Sequence, residues 1–451
     1  MTSAWLCPHH NKSSSTNSEK LFSKLPTLHR YVLLSVLAVN VSGCTSLASN
    51  AAVVAAQNLR THGSNHPSVL TRPYVVLISF DGLRPDYLDR VNAPAFNRLS
   101  RQGAVAKGLM PVFPSITFSN HYSIATGLYP EHHGIVGNQF YDPDRKKDFN
   151  YRNKEDVQDG SWWLGEPLWV TAELQGMVTA SMFFPGTEAP IKNVRPTYWR
   201  PYDGSFSNQK RMQQVLTWLD SPENVRPHLI TTYFSMVDRA GHREGPNSLA
   251  VNTSVSDADQ LLGQLLDGID DLPHKREIYV VVVSDHGMAP VDFDDTLTLS
   301  NIIDMPGVKA FPIGPGLNLF IGDDQNHAIT LRDTFNLKTD RAKAFLRNEV
   351  PRHLHYRASN RIGDIIIIPR SGTFVKLSAH SSVPQGMHGW DPQMPEMHGI
   401  FLISGPNIPR NKIIPPFENI HIYPLLAHIL ELEMPAHTDG RLAVLQTMLG
   451  F

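Results

Sequence analysis

Three apolar runs in the chain end in an acidic residue: "YVVLISFD" at Asp81, "LITTYFSMVD" at Asp238 and "IYVVVVSD" at Asp285. Histidines accompany two of them. "DRAGH" sets His242 four residues after Asp238, a spacing from which one helical turn or tight loop brings both to a single cation. "SDHGM" sets His286 directly after Asp285, and later "MHGWDP" and "EMHG" supply His388 and His398. Carboxylate oxygens and imidazole nitrogens together suit divalent zinc. Asp81, Asp238, His242, Asp285, His286 and one of the late histidines make six protein ligands. A single catalytic zinc takes three plus an open position, so six fit two ions, the arrangement that clamps attacking and leaving oxygens in phosphoryl chemistry. A hydroxyl would complete such a site. "FPSITFSNH", residues 113–121, offers Ser115, Thr117 and Ser119, and residue types alone leave the choice among them open.

The elements that must carry these groups are legible too. The three runs are rich in β-branched and aromatic residues and continuously apolar, which predicts strands buried on both faces of a mainly parallel sheet. "APAFNRLSRQG" after the first and "VSDADQLLGQLLDGI" after the second read as helices, and that alternation implies an α/β fold with helices on both faces. Ligands bind such sheets beyond the carboxyl ends of the strands, so the three acids are expected on one rim. The stretch 141–230, rich in aromatics and prolines, reads as an elaboration close to the sheet, and about 290–380 as a smaller α/β insertion.

With 451 residues, 41% hydrophobic and 18% charged, the chain can bury a substantial core. Its formal net charge of -2 gives no electrostatic footprint for nucleic acid, and no nucleic-acid partner is expected. The only cysteines, Cys7 and Cys44, precede the first structured run, so neither a disulfide framework nor a cysteine zinc site is expected. Residues 1–44 read as an export signal: a polar, net basic stretch, then "YVLLSVLAVNVSGC", whose apolar run is shorter than the ~20 residues of a membrane span. Its end, "VSGC", resembles the lipobox of bacterial lipoproteins, which implies a lipidated Cys44, membrane anchoring and a place in the periplasm or cell envelope. Residues 45–72 follow as a flexible tether, and 73–451 as the catalytic domain. No protein partner is inferred.

"SFDGLRPDYL", "PSITFSNHYSIATGLYPEHHGIVGN", "VDRAGHREGP", "VVVSDHGM" and "HGWDP", in that order, resemble the nucleotide pyrophosphatase/phosphodiesterases of the alkaline phosphatase superfamily. The resemblance runs from about Tyr74 to the carboxyl end and implies an alkaline-phosphatase-like core. It implies Thr117 as nucleophile, with Asp81, Asp285, His286 and Thr117 on one zinc and Asp238, His242 and His388 on the other. His388 is preferred to His398 because it lies in "HGWD". Asn138 is implied as a contact to a non-bridging phosphate oxygen, and Phe118 and Tyr202 as the pair flanking a nucleobase. The implied reaction is hydrolysis of nucleotide phosphodiester or pyrophosphate bonds, releasing nucleoside monophosphate through a phospho-threonine ester. A phospholipid head-group diesterase and a phosphate monoesterase share the ligand set. With Asn138 and no obvious Arg or Lys near Thr117, apart from Arg84 and Lys107, diesters are favoured. Ser115 and Ser119 revert to caps or local hydrogen-bond formers, and His121 to packing or the helix surface.

Overall fold

The apolar runs form the middle of a seven-stranded sheet. The computed structural model describes residues 63–450 except 323. The expected export signal, Cys44 and most of the tether lie outside the described residues. In chain order the strands are β1 (Tyr74–Phe80), β2 (Ala104–Ala106), β3 (Thr179–Met182), β4 (Leu229–Phe234), β5 (Ile278–Val283), β6 (Phe401–Ser404) and β7 (Lys412–Ile414). They pack in the order β7-β2-β6-β5-β1-β4-β3. β1 is central and parallel to both neighbours, with Val76 opposite Ile230 on β4 and Val280 on β5. β3 is parallel to β4, whereas β6 is antiparallel to β5. Every residue of β1, β4 and β5 is buried, which is why these runs read as unbroken apolarity rather than alternation. Full burial of one such valine or isoleucine is worth about 1.5–3 kcal/mol.

Four helices matter for the site: α1 (Pro94–Gln102), α2 (Thr117–Thr126), α3 (Met236–Glu244) and α4 (Leu249–Asp270). One apolar cluster joins α1, α3 and α4 to one face of the sheet, and a second lines the other face with Trp162, Trp163, Trp169 and Tyr423. Helix α1 begins with Pro94 and lacks a cap of its own. Asp259, buried on α4, accepts the amides of Ala95 and Phe96 instead, at 2.9 and 3.0 Å.

The segment expected as an insertion carries a separate four-stranded antiparallel sheet, built from 309–313, 316–320, 342–346 and 365–369. Helix Gln325–Lys338 packs on it around Leu331 and Phe335, giving it an apolar cluster of its own. At the amino-terminal side the packed chain starts ahead of residue 73. Asn65 is buried, donates to the carbonyls of Glu223 and Arg226 and accepts the Val178 amide, so the end of the expected tether is docked.

Candidate active site

Asp81 directly follows β1, and Asp285 and His286 come just after β5, so the parallel register puts them on one rim of the sheet. Asp238 lies in the first turn of α3, the helix that follows β4, and His242 one turn further on. What lets α3 come this close is Gly82. Its φ is +71°, and a Cβ there would sit 2.9 Å from the Asp238 Cα, while the Asp238 amide donates to the Asp81 carbonyl at 3.0 Å. Thr117 is the first residue of α2. The turn leading to it is pinned by Asn120, whose side chain accepts the Val112 amide and donates to the carbonyls of Pro114 and Ile116.

The predicted ligands converge in two neighbouring groups. In one, His286 Nε2 lies 3.1 Å from Asp285 Oδ2, 3.3 Å from Asp81 Oδ1 and 3.3 Å from the Thr117 hydroxyl. In the other, Asp238 Oδ1 lies 3.3 Å from His242 Nε2 and 3.4 Å from His388 Nε2. The groups meet where the His286 and His388 rings stack, 3.5 Å between centroids, and His286 is also within reach of the second group. His398 takes no part; it packs against Gly108.

These groups fit cations rather than one another. Each histidine donates from Nδ1 to a main-chain carbonyl at 2.8 Å: His286 to Gly287, His242 to Gly386 and His388 to Ser115. In each ring Nε2 is therefore the nitrogen turned to the site, and those of His242 and His388 face each other across 3.1 Å. Asp81 Oδ1, Asp238 Oδ1 and Asp285 Oδ2 are buried with no hydrogen-bond donor. Burial, with Asp285 and Asp238 nearby, pushes the Asp81 carboxyl well above its ordinary range. Burial also acts on Asp285, but His286 and His121 hold it well below the usual carboxylate value. Burial, together with His286 and His242, lowers His388 far below an ordinary imidazole. Orphaned carboxylate oxygens and facing ring nitrogens are costly without positive charge between them, a charge that bound divalent ions would supply.

Above the ligands opens a cavity of about 820 Å3 lined by Thr117, Phe118, Asn138 and Tyr202 as well as ligand side chains. Asn138 Oδ1 accepts the Phe118 amide at 3.1 Å, which leaves its NH2 group as the free donor beside Thr117. Phe118 rests against Tyr151, 5.4 Å between centroids, while Tyr202, 48% exposed, leans on Phe183. Glu188 fixes the Tyr202 main chain by accepting its amide at 2.9 Å.

Four features escaped the sequence reading. His121 is buried, the packing alternative of the two expected, but it is also tied to the site: Nε2 meets Ser79 Oγ at 2.8 Å, and Nδ1 lies 2.8 Å from the Thr117 carbonyl and 3.3 Å from Asp285 Oδ2. Tyr233 donates to Asp81 Oδ2 at 2.5 Å. Ser115 and Ser119 are not local caps; they donate to the distant carbonyls of Trp390 and Ile135. Cations also reach the cavity, namely Arg152, Lys154 and Arg239, while Arg84 is held elsewhere by Asp86 and the Met288 carbonyl.

An α/β sheet with a two-group Asp/His site at its carboxyl rim, a threonine at a helix start and a nucleotide-sized cavity defines the class of alkaline-phosphatase-like metallohydrolases. Comparison narrows this further. The family described as type I phosphodiesterase / nucleotide pyrophosphatase matches residues 75–391, and the chain belongs to it, a family of phosphoric-bond hydrolases. An uncharacterized pyrophosphatase/phosphodiesterase of Schizosaccharomyces pombe is 35% identical over 372 residues, covering 79% of this chain and 77% of that protein. Human ectonucleotide pyrophosphatase/phosphodiesterase family member 1 is 32% identical over 83% of this chain, which spans only 41% of that longer protein. Among solved structures, murine ectonucleotide pyrophosphatase/phosphodiesterase 5, as an inactive threonine-to-alanine variant in complex with AMP, superposes with a TM-score of 0.79. The identity is 27%, and the match covers 84% of this chain and all of that one.

Proposed function

We propose that the chain hydrolyses nucleotide phosphodiester or pyrophosphate bonds to release nucleoside monophosphates, with Thr117 as the nucleophile and two zinc ions in the Asp/His groups. The observation that carries this reading is the placement of the Thr117 hydroxyl 3.3 Å from His286 Nε2, beside carboxylate oxygens that have no donor. Asp81, Asp285, His286 and Thr117 would hold one ion and Asp238, His242 and His388 the other. Bound there, the ions supply Lewis acidity, easing ionisation of a hydroxyl and offsetting charge on phosphate oxygens.

The chain's own groups then have distinct tasks. Thr117 Oγ1 attacks phosphorus in line, a phospho-threonine ester forms, and the bond to the leaving oxygen breaks; the hydroxyl proton passes to solvent and the leaving oxygen takes one up. Water later cleaves the ester and restores the hydroxyl. The free NH2 of Asn138 donates to a non-bridging oxygen, where charge accumulates in the transition state. Phe118 and Tyr202 flank the base across the cavity. The AMP bound by the murine relative supports a nucleotide substrate.

Thr117→Ala tests the mechanism. Turnover of a nitrophenyl nucleotide diester is expected to vanish while zinc content stays that of the wild type, and retained turnover would refute the covalent route. A panel of nitrophenyl nucleotide, nitrophenyl phosphate and a choline phosphodiester separates nucleotide diesters from monoesters and lipid head groups. Export and lipidation at Cys44 belong to the same reading. Cys44→Ser is expected to free the protein from the membrane fraction, and unchanged fractionation would rule out the anchor.

A further inference from the structure

Two arginines stand at the cavity wall beside α3 without forming an ion pair among the described residues. Arg211 is 1% exposed, yet its guanidinium meets only carbonyls, those of Tyr233 at 2.9 Å, Phe206 at 3.1 Å and Asp203 at 3.4 Å. It lies over the Phe183 ring, 4.7 Å from the centroid, immediately beneath a residue that lines the cavity. Arg239 is the exposed partner on this wall: it follows the ligand Asp238 on α3 and lines the cavity. Among the described residues neither arginine has a carboxylate within ion-pair distance. Burial lowers the Arg211 guanidinium below its ordinary range; the charge of Arg239 adds to the effect and that of Asp203 opposes it. A buried guanidinium held only by carbonyls, beside an exposed one with no ion-pair partner, makes a wall that favours an anion.

In-line displacement decides which anion. Thr117 approaches from the Asp81, Asp285 and His286 side, so the leaving oxygen departs on the side of Asp238, His242 and His388. Arg239 directly follows Asp238, a member of that second group, on α3 and lines the same cavity. Resting on the reading above, we infer that Arg239 is a specificity-determining residue that binds a charged leaving group, so that the chain favours substrates in which further phosphate follows the scissile bond over diesters whose leaving group is uncharged. Guanidinium meets phosphate through paired N–H donors, which a flexible ammonium reproduces only in charge.

The test compares two substrates that share the nucleotide half: a nucleoside triphosphate and the nitrophenyl ester of the same nucleoside monophosphate. Wild type, Arg239→Ala and Arg239→Lys are measured with zinc at low ionic strength, with thermal melts to confirm folding. One charge-assisted contact predicts that Arg239→Ala lowers the triphosphate-to-nitrophenyl ratio of kcat/KM about tenfold. Arg239→Lys is expected to keep more than half of the wild-type preference, and raised salt to erode it in the wild type. An unchanged ratio in Arg239→Ala overturns the proposal. So does an equal loss on both substrates, which would put Arg239 on the shared nucleotide half. A wild-type chain that cleaves the nitrophenyl ester but shows no preference defeats this inference alone, whereas one that cleaves neither substrate overturns the phosphodiesterase reading and this proposal with it.

Discussion

Removing the hydroxyl of Tyr233 isolates the support behind one ligand from the ligand itself. The phenol donates to Asp81 Oδ2 at 2.5 Å, and Tyr233 is 9% exposed, so water has little access to replace the bond. Tyr233→Phe keeps the ring, and with it the packing against Met182 and Phe183 and the edge contact to His121 at 5.1 Å. The change therefore falls on Asp81, whose other oxygen already has no donor. A hydrogen bond to a buried carboxylate is worth about 1.5–3 kcal/mol. At about 1.4 kcal/mol per decade that is roughly ten- to hundredfold, the range expected for losing the partner that orients a metal ligand. The assay is competition for zinc between the protein and a chromophoric chelator, followed by diester turnover at saturating zinc. Zinc affinity is expected to fall about ten- to hundredfold, with turnover per zinc-loaded molecule much less affected and the melting curve close to that of the wild type. Wild-type zinc affinity in Tyr233→Phe would refute the argument that Asp81 is a ligand held by this bond.

Other outcomes follow from the same structure. Asp259→Ala leaves the amides of Ala95 and Phe96 without an acceptor inside the fold and should cost about 2 kcal/mol in denaturant unfolding, with Asp259→Asn recovering part of it. Gly287→Ala would place a Cβ 2.1 Å from the Glu396 carbonyl oxygen; the displaced main chain beside His286 should cost zinc binding, measured by metal content after gel filtration. The His132–Asp439 pair, 2.7 Å apart, sets a pH window. Its hydrogen bond to Asp439 raises His132, so that share of stability is full below about pH 6.5 and is lost as pH rises through the raised value. Asp439 is held low by His132 and the Tyr129 amide against the effect of burial, so its share is full above about pH 4 and is lost as pH falls through the lowered value. His132→Gln should therefore lower Tm most between those limits, by an amount equivalent to about 0.5 kcal/mol given the exposure of the pair, and the difference should shrink above neutrality.

The three acidic ligands were legible because each closes a continuous apolar run, and doubly buried parallel strands produce that pattern. His388 needed its "HGWD" context, since spacing alone does not separate it from His398. The supporting shell was not legible. Tyr233 reads as one more aromatic in a strand, and only the register of β4 beside β1 brings its hydroxyl to Asp81. His121 looks like a helix residue until α2 is laid against the sheet, where Ser79 and Asp285 close around it. Arg239 hid for a related reason: it follows Asp238 in the chain but stands far from Thr117 in sequence, and only the fold brings both to one cavity.

The three imidazoles are aimed by carbonyls of Gly287, Gly386 and Ser115, not by neighbouring side chains. A carbonyl survives every substitution at its own position that the local backbone tolerates. Ligand direction is thereby separated from side-chain identity around the site, while Phe118, Tyr202 and Arg239 on the cavity walls carry no part of that task. Such a division lets a lineage change what it accepts without rebuilding the centre that reacts, a form of evolvability written into the main chain.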